Sequence, residues 1–129
     1  MIRKVVLSKN TEEIGDYAFP YCENLQSIDL PNSVKKIGES AFLGDKALSS
    51  INLTNVEEIG SNAFSQCTGI ESLTISSKTQ KMGANVFERW GENQTINVFF
   101  TSSETPTNWN TSWKGWTCKA KINYKQKSN

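Results

Sequence analysis

The sequence contains no histidine and only three cysteines in 129 residues. The absence of histidine excludes Ser-His-Asp and Cys-His catalysis in their usual forms, and it removes the commonest zinc ligand. The cysteines include no C-x-x-C pair, and the chain has neither a G-x-G-x-x-G motif nor a phosphate-binding loop. We therefore predict a protein that is not an enzyme and that binds neither a metal nor a cofactor.

The chain also lacks an excess of charge and a long apolar run. Its 14 Lys and Arg residues nearly balance 13 Asp and Glu residues, and the net charge of +1 argues against nucleic acid as the main partner. No segment is long and apolar enough to predict a transmembrane helix, so we expect no membrane insertion. No signal peptide is visible, because Ser8-Lys9-Asn10 ends the first apolar stretch too early. The chain is thus either intracellular or part of a longer secreted precursor.

A six-residue pattern, I-G-x-x-A-F, recurs at nearly constant spacing along the chain. Its copies occupy residues 14–19, 37–42 and 59–64, with a weaker fourth copy at 82–87. The glycines of successive copies lie 23, 22 and 23 residues apart. A fixed period of this length is typical of solenoid proteins, in which each repeat packs only on its neighbours.

Each repeat also contains a segment in which apolar and polar residues alternate. Ile28-Asp29-Leu30 is the first full example, and equivalent segments follow at 51–53, 73–75 and 96–98. This alternation predicts short half-buried strands, stacked in parallel at about 4.8 Å per coil along one wall. The I-G-x-x-A-F segment is too short for a full helix, so we predict one helical or 3₁₀ turn there, on the opposite wall. Its glycine either has a positive φ or lets two backbones approach closely.

Alignment of the repeats predicts five columns of buried apolar side chains. A repeated phenylalanine is a tempting ligand site, but at this spacing core packing explains it better. The predicted columns are Ile14/Ile37/Ile59/Met82, Ala18/Ala41/Ala63/Val86, Phe19/Phe42/Phe64/Phe87, Ile28/Ile51/Leu73/Ile96 and Leu30/Leu53/Ile75/Val98.

Two further patterns have a structural interpretation. Cys22 and Cys67 fall in one column two coils apart, and a separation of about 10 Å is too long for a disulfide. The carboxylate pairs at 12–13 and 57–58 occupy the position that Lys35-Lys36 occupy in the repeat between them, and we interpret them as solvated turn charges.

The pattern L-x-S-I-x-L-P-x-S-V-x-x-I-G-x-x-A-F, read from Leu25 to Phe42, resembles the BspA-like leucine-rich repeat family. Cys22 or Cys67 matches the cysteine that follows this pattern in the family, and the resemblance extends from Lys4 to Val98. It implies a β-rich, right-handed leucine-rich repeat solenoid, with short parallel strands on one wall and loops or short turns on the other. It also implies surface proteins of bacteria and some protozoa that are associated with adhesion, and so favours a secreted or cell-surface precursor.

We expect one domain, with the repeat array at residues 1–98 and a Trp-rich cap and tail at 99–129. The array holds about four units of 22–23 residues, the first of them partial. Trp109, Trp113 and Trp116 are interpreted as closing the open end of the core, with a carbohydrate platform as the alternative. The N-terminal end shows no cap, so we predict upstream repeats in the natural protein and an exposed edge that allows self-association.

The outward side chains of the predicted strands form a surface that we name the polar wall. Small donors and acceptors of this kind suit a protein or glycan partner. We predict a non-enzymatic module that mediates adhesion or recognition of an extracellular protein or glycan; a structural spacer or an intracellular interaction scaffold is the alternative. The candidate binding residues of the polar wall are Ser27, Asp29, Ser50, Asn52, Ser72, Thr74, Thr95 and Asn97.

Overall fold

The computed structural model describes residues 2–100 and 105–126, which wind into a solenoid of about five turns. The parallel strands and turns of these residues include no helix. The predicted solenoid of parallel strands is confirmed, whereas its right-handed sense stays a prediction. The strands are β1 (Glu13–Ile14), β2 (Lys36–Ile37), β3 (Glu58–Ile59), β4 (Ser72–Ile75), β5 (Lys81–Met82), β6 (Thr95–Phe100) and β7 (Lys121–Gln126).

Two parallel sheets run along the solenoid. The first has the order β1-β2-β3-β5, and its register places Ile14 beside Ile37, Ile37 beside Ile59 and Ile59 beside Met82. The second has the order β4-β6-β7 and lies on the predicted strand wall. Short strands therefore line the predicted strand wall and also a second wall, where each two-residue strand ends on the Ile or Met that precedes a repeated glycine and where only a turn was expected.

The I-G-x-x-A-F segments form turns, so the predicted helical or 3₁₀ turn is wrong. The residue two positions after each glycine has a left-handed backbone, with φ between 53° and 59° at Tyr17, Ser40, Asn62 and Asn85. Each of these residues donates its N–H to a carbonyl of the next coil, at 2.8 to 3.1 Å. Residues of a right-handed helix have negative φ, so a left-handed residue in the middle of each segment is incompatible with a helical or 3₁₀ turn.

The shared geometry of the turns depends on close approach of backbones at the repeated glycine. A Cβ atom on Gly60 would lie 2.5 Å from the Glu39 nitrogen, and Gly38 and Gly83 are equally crowded by the preceding coil. None of the four repeated glycines has a positive φ. Of the two roles considered for this glycine, close approach is therefore the correct one. Gly15, in the first coil, has open space instead, since a Cβ atom there would meet nothing within 4 Å.

The core follows the predicted columns. Phe19, Phe42, Phe64 and Phe87 stack along the solenoid with ring centroids 5.5 to 6.2 Å apart. Members in the middle coils are fully buried, but Ala18 is exposed and Phe19, Leu30 and Ile51 are only partly buried. The first-coil members Ala18 and Phe19 are more open because only the second coil packs on them.

The Trp-rich segment adds a further coil on the fourth. Trp109 forms a parallel β-bridge with Met82, and the ring centroids of Trp113 and Phe87 lie 5.9 Å apart. These two indoles therefore extend the isoleucine and phenylalanine columns. Both are 5% exposed and so lie inside this coil, whereas Trp116 is 92% exposed. The interpretation of the segment as a cap stays a prediction. Strand β7 pairs with β6 over its whole length. Residues 101–104 and 127–129 of the expected cap and tail lie outside the described residues.

Only the second glutamate of each carboxylate pair lies on a strand, Glu13 in β1 and Glu58 in β3, so the interpretation as turn charges is wrong for these two residues. Glu13, Lys36, Glu58 and Lys81 stand side by side in β1, β2, β3 and β5, with alternating charge. Glu58 forms ion pairs with Lys36 at 3.3 Å and with Lys81 at 3.5 Å. The hydrogen bond with Glu58 and the negative charge of Glu58 raise the pKa of the Lys36 ammonium above its ordinary value. We name these four residues the charged ladder.

The cysteine column contains a buried acid. Cys22 and Cys67 are free, as predicted, and Asp45 lies in the coil between them. Asp45 is fully buried, and its Oδ1 accepts the Cys22 N–H at 2.7 Å. Within the described residues, its Oδ2 has no hydrogen-bond partner. Burial raises the pKa of Asp45 to about 7, since the charged form loses its hydration.

We predict that Gly60→Ala destabilises the protein by about 1–3 kcal/mol, because the new methyl group collides with backbone rather than with a flexible side chain. The matched control is Gly15→Ala, which meets no atom and should be neutral or stabilising by up to about 1 kcal/mol. Urea unfolding of both variants measures the difference. Equal losses in the two variants would show that backbone approach is not the constraint.

The raised pKa of Asp45 predicts that stability falls as pH increases. In the folded state Asp45 keeps its proton up to about pH 7, whereas an unfolded aspartate releases it near pH 4. Between these two values only the folded state binds the proton, so the free energy of unfolding falls as pH rises. Stability should decrease by about 1.4 kcal/mol per pH unit over this window. Asp45→Asn cannot ionise and should flatten the slope. Urea midpoints from pH 5 to 8 test this, and no histidine titrates in that range.

Persistence of the full slope in Asp45→Asn would contradict the assignment. Glu23→Gln, at an exposed carboxyl in the same region of the chain, serves as the control and should leave the slope of the wild-type protein unchanged.

Candidate functional site

All eight predicted residues of the polar wall lie on the surface. Ser27, Asp29, Ser50, Asn52, Ser72 and Thr74 are exposed, and Thr95 and Asn97 are partly exposed. They point outward because the apolar residues that alternate with them are drawn into the core. The local structure, however, differs between the two halves of the wall.

The C-terminal half of the polar wall is a regular parallel sheet. In β4 and β6, Ser72 stands beside Thr95 and Thr74 stands beside Asn97. Strand β7 extends these rows with Lys121 and Asn123, which the sequence interpretation missed.

Amide side chains link the strands of this half. The Asn123 side chain donates to Asn97 Oδ1 at 3.1 Å, and Asn97 in turn donates to Ser72 Oγ at 3.2 Å. The sequence did contain a signal for the third strand, since Ile122-Asn123 repeats Ile96-Asn97. The hydrogen-bonded amides fix the side chains of this half in a defined arrangement.

The N-terminal half of the polar wall is more open. Ser27 and Ser50 form one parallel bridge, without a continuous strand. Asn52 Oδ1 accepts the Thr54 N–H at 3.0 Å and also the Thr54 hydroxyl, which fixes the turn that follows. A shallow recess of about 280 Å³ lies here, and its lining consists of Ser27, Ile28, Asp29, Leu30, Ser50, Ile51 and Asn52.

The two halves are separate hydrogen-bonded units. Among the described residues, no strand pairing joins Ser50 to Ser72. The structure therefore brings Ser72, Thr74, Thr95 and Asn97 together in one patch, and Ser27, Asp29, Ser50 and Asn52 in another. Hydroxyl and amide groups dominate both patches, so the wall offers hydrogen bonds rather than a nucleophile with its base.

A second exposed feature is the turn that carries Trp116. The Glu88 carboxylate accepts the Thr117 N–H at 2.6 Å and also the Thr117 hydroxyl, while the Arg89 N–H donates to that hydroxyl oxygen at 2.9 Å. Burial alone would raise the pKa of Glu88, but the hydrogen bonds from Thr117 and from the Trp116 N–H, with the nearby Arg89, lower it. The carboxylate is thus the charged anchor of this turn.

In the ranges 2–100 and 105–126, no group of three or more His, Cys, Asp or Glu side chains could hold a metal ion. Over the same ranges, no helix has the length and hydropathy needed to cross a membrane.

Comparison with known proteins places this geometry in context. No curated protein matches the chain in sequence. A leucine-rich repeat protein from T. pallidum has a similar structure, with a TM-score of 0.68 and 26% identity over 95% of this chain and 51% of that one. A leucine-rich repeat protein from Bacteroides ovatus ATCC 8483 has a TM-score of 0.74 and 20% identity, over 93% of this chain and 30% of that one. The chain thus spans about half or less of these neighbours.

The description of the matching family is "BspA type Leucine rich repeat region", and it fits six copies over residues 1–109. Leucine-rich repeats of this kind are typically non-enzymatic and support a repeat-based protein-interaction module. From the repeats, their geometry and this match, the chain belongs to the BspA-type leucine-rich repeat family.

Proposed function

We propose that the chain is a recognition module of a secreted or cell-surface protein, and that its polar wall mediates adhesion to an extracellular protein or glycan. The observation that carries this proposal is the regular display of small polar side chains in rows across successive coils. Members of the family are usually secreted or located at the surface, which supports the setting.

The chemistry of the wall suits hydrogen bonding to a polar partner. Serine, threonine and asparagine have short side chains, so they lose little conformational entropy when a partner fixes them. The amide chain from Asn123 through Asn97 to Ser72 already orders one patch before binding. An ordered patch binds with a smaller entropic cost than a flexible one.

The size of the wall limits its affinity. Five rows of side chains, from Ser27 to Lys121, at a spacing of about 4.8 Å give a strip on the order of 20 Å wide, and such a strip covers only a few hundred Å². A standard interface buries about 800 Å² on each partner. Single attachment through the wall is therefore weak, and firm adhesion requires several copies or neighbouring repeats.

A structural spacer is the second candidate function. The continuous core joins the coils into one unit, which would hold another domain away from a surface without binding anything. Binding measurements separate the two functions, because a spacer has no partner at the polar wall.

We predict that Ser50→Arg combined with Thr74→Arg weakens binding to immobilised extracellular-matrix proteins or glycans by at least about tenfold, which corresponds to about 1.4 kcal/mol. Both residues are exposed, so the core stays intact while two long side chains obstruct the two patches. The measurement is surface plasmon resonance against a panel of such ligands, with circular dichroism to verify folding.

The matched control is Thr68→Arg combined with Gln80→Arg, which adds the same charge at exposed positions outside the wall. Loss of binding in the wall variant alone supports recognition there. Equal binding by both variants would move recognition away from the wall. A folded wild-type chain that binds nothing on the panel would favour the spacer.

A further inference from the structure

The cap uses two of its three tryptophans and leaves the third in solvent. Trp109 and Trp113 are 5% exposed, and Trp90 in the preceding coil is 1% exposed, whereas Trp116 is 92% exposed. A tryptophan presents a large apolar surface, and leaving it in water forgoes the stabilisation that its burial would give. Since neither the core nor the cap uses this side chain, its exposure calls for another explanation.

The backbone beneath Trp116 is held firmly. Glu88 accepts hydrogen bonds from Trp116 and Thr117, and Thr117 also accepts one from Arg89. Gly115, which comes just before, has a φ of 102°, and a Cβ there would lie 2.8 Å from Glu88 Oε2. Glycine thus lets the turn pack directly on the carboxylate. The result is an exposed indole on an ordered turn, so little backbone entropy remains to be lost when a ligand binds.

Polar groups surround the indole. A shallow recess of about 210 Å³ is lined by Trp116 together with Thr111, Ser112, Lys114 and Gly115. The Lys114 ammonium lies 5.9 Å from the centre of the Trp113 ring, which keeps this donor close to the recess. One flat aromatic face, two hydroxyls and one cation therefore share a single open surface.

This combination matches the chemistry of a sugar ring. A pyranose has an apolar face of C–H groups that can stack on an indole, and hydroxyls around its rim that need hydrogen-bond partners. A protein hot spot would instead require a deep, desolvated pocket with apolar surroundings, which this shallow polar recess does not provide. A sugar is thus the ligand class that the surface fits best.

We propose that Trp116 is the stacking platform of a carbohydrate-binding site at the C-terminal cap, with Thr111, Ser112 and Lys114 as hydrogen-bonding groups for the sugar hydroxyls. None of these residues belongs to the polar wall, so the site is independent of the recognition surface proposed above. The recess is shallow and open, so it is a weak site that gains strength from repeated glycan chains.

The experiment uses the whole chain and a glycan array of neutral and acidic oligosaccharides, followed by titration of the strongest glycan found. Trp116→Ala should reduce the affinity at least about tenfold. Trp116→Tyr keeps an aromatic face and should retain part of it. The control, Tyr17→Asn, removes another exposed aromatic residue and places asparagine where Asn62 and Asn85 stand in later coils, and it should bind like the wild type.

Fluorescence gives a direct readout. Because the other tryptophans are buried, acrylamide quenches mainly Trp116, and a stacked sugar should protect it and shift its emission to shorter wavelength. An array without any bound oligosaccharide would overturn the proposal, as would a glycan whose affinity and quenching are the same in Trp116→Ala and the wild type. Binding that survives Ser50→Arg combined with Thr74→Arg but not Trp116→Ala would support this site independently of the polar wall.

Discussion

Hydrogen bonds between successive coils are the interaction on which the rest of this structure depends. A coil of 22 or 23 residues without a helix cannot satisfy its own backbone groups, so it must pair with the coils beside it. Side chains reinforce the same register. The Ser33 hydroxyl donates to the Thr11 carbonyl, and the Ser76 hydroxyl donates to the Thr54 carbonyl, each across 22 residues. The left-handed residue of each turn and the crowded glycine both serve this pairing.

Once the register is set, every column follows from it. The phenylalanine stack, the charged ladder and the two patches of the polar wall consist of side chains that occupy one position in successive coils. An insertion inside a strand would therefore displace inner and outer columns together, whereas the one coil of 22 residues shows that a turn can absorb a difference of one residue. This coupling explains how a narrow core can support an ordered outer surface.

Much of the fold could be predicted from the repeat. The columns, the parallel stacking and the free cysteines follow from spacing, because equal spacing places equivalent residues in equal environments. The turns could not be predicted in the same way. Tyr17 and Asn62 share a left-handed φ that residue type alone does not reveal. The coil that contains β7 lacks the I-G motif, so the alternation in Ile122-Asn123 was the sequence signal for this strand.

The candidate sites were predictable to different degrees. Alternation along the strands was sufficient to place the polar wall on the surface, but not to show its division into two patches, which depends on the strand pairing. Spacing could not predict that Trp113 is buried and Trp116 exposed, since the segment between them is irregular and a side chain three residues further on can point either inward or outward. The repeat does not determine the outward side chains, because the outward positions are free of the packing that fixes the inward ones.

The one-sided packing of the first coil has a mechanical consequence. Its outer members, such as Ala18, contact a neighbour only on the side of the second coil, so fewer interactions hold this coil than any interior one. Tension along the axis would detach a terminal coil before an interior one, and the next coil would then become terminal. Each detached coil frees 22 or 23 residues, or about 80 Å of extended chain. Under tension, these coils would lengthen in nearly equal steps while the coils still attached keep their shape.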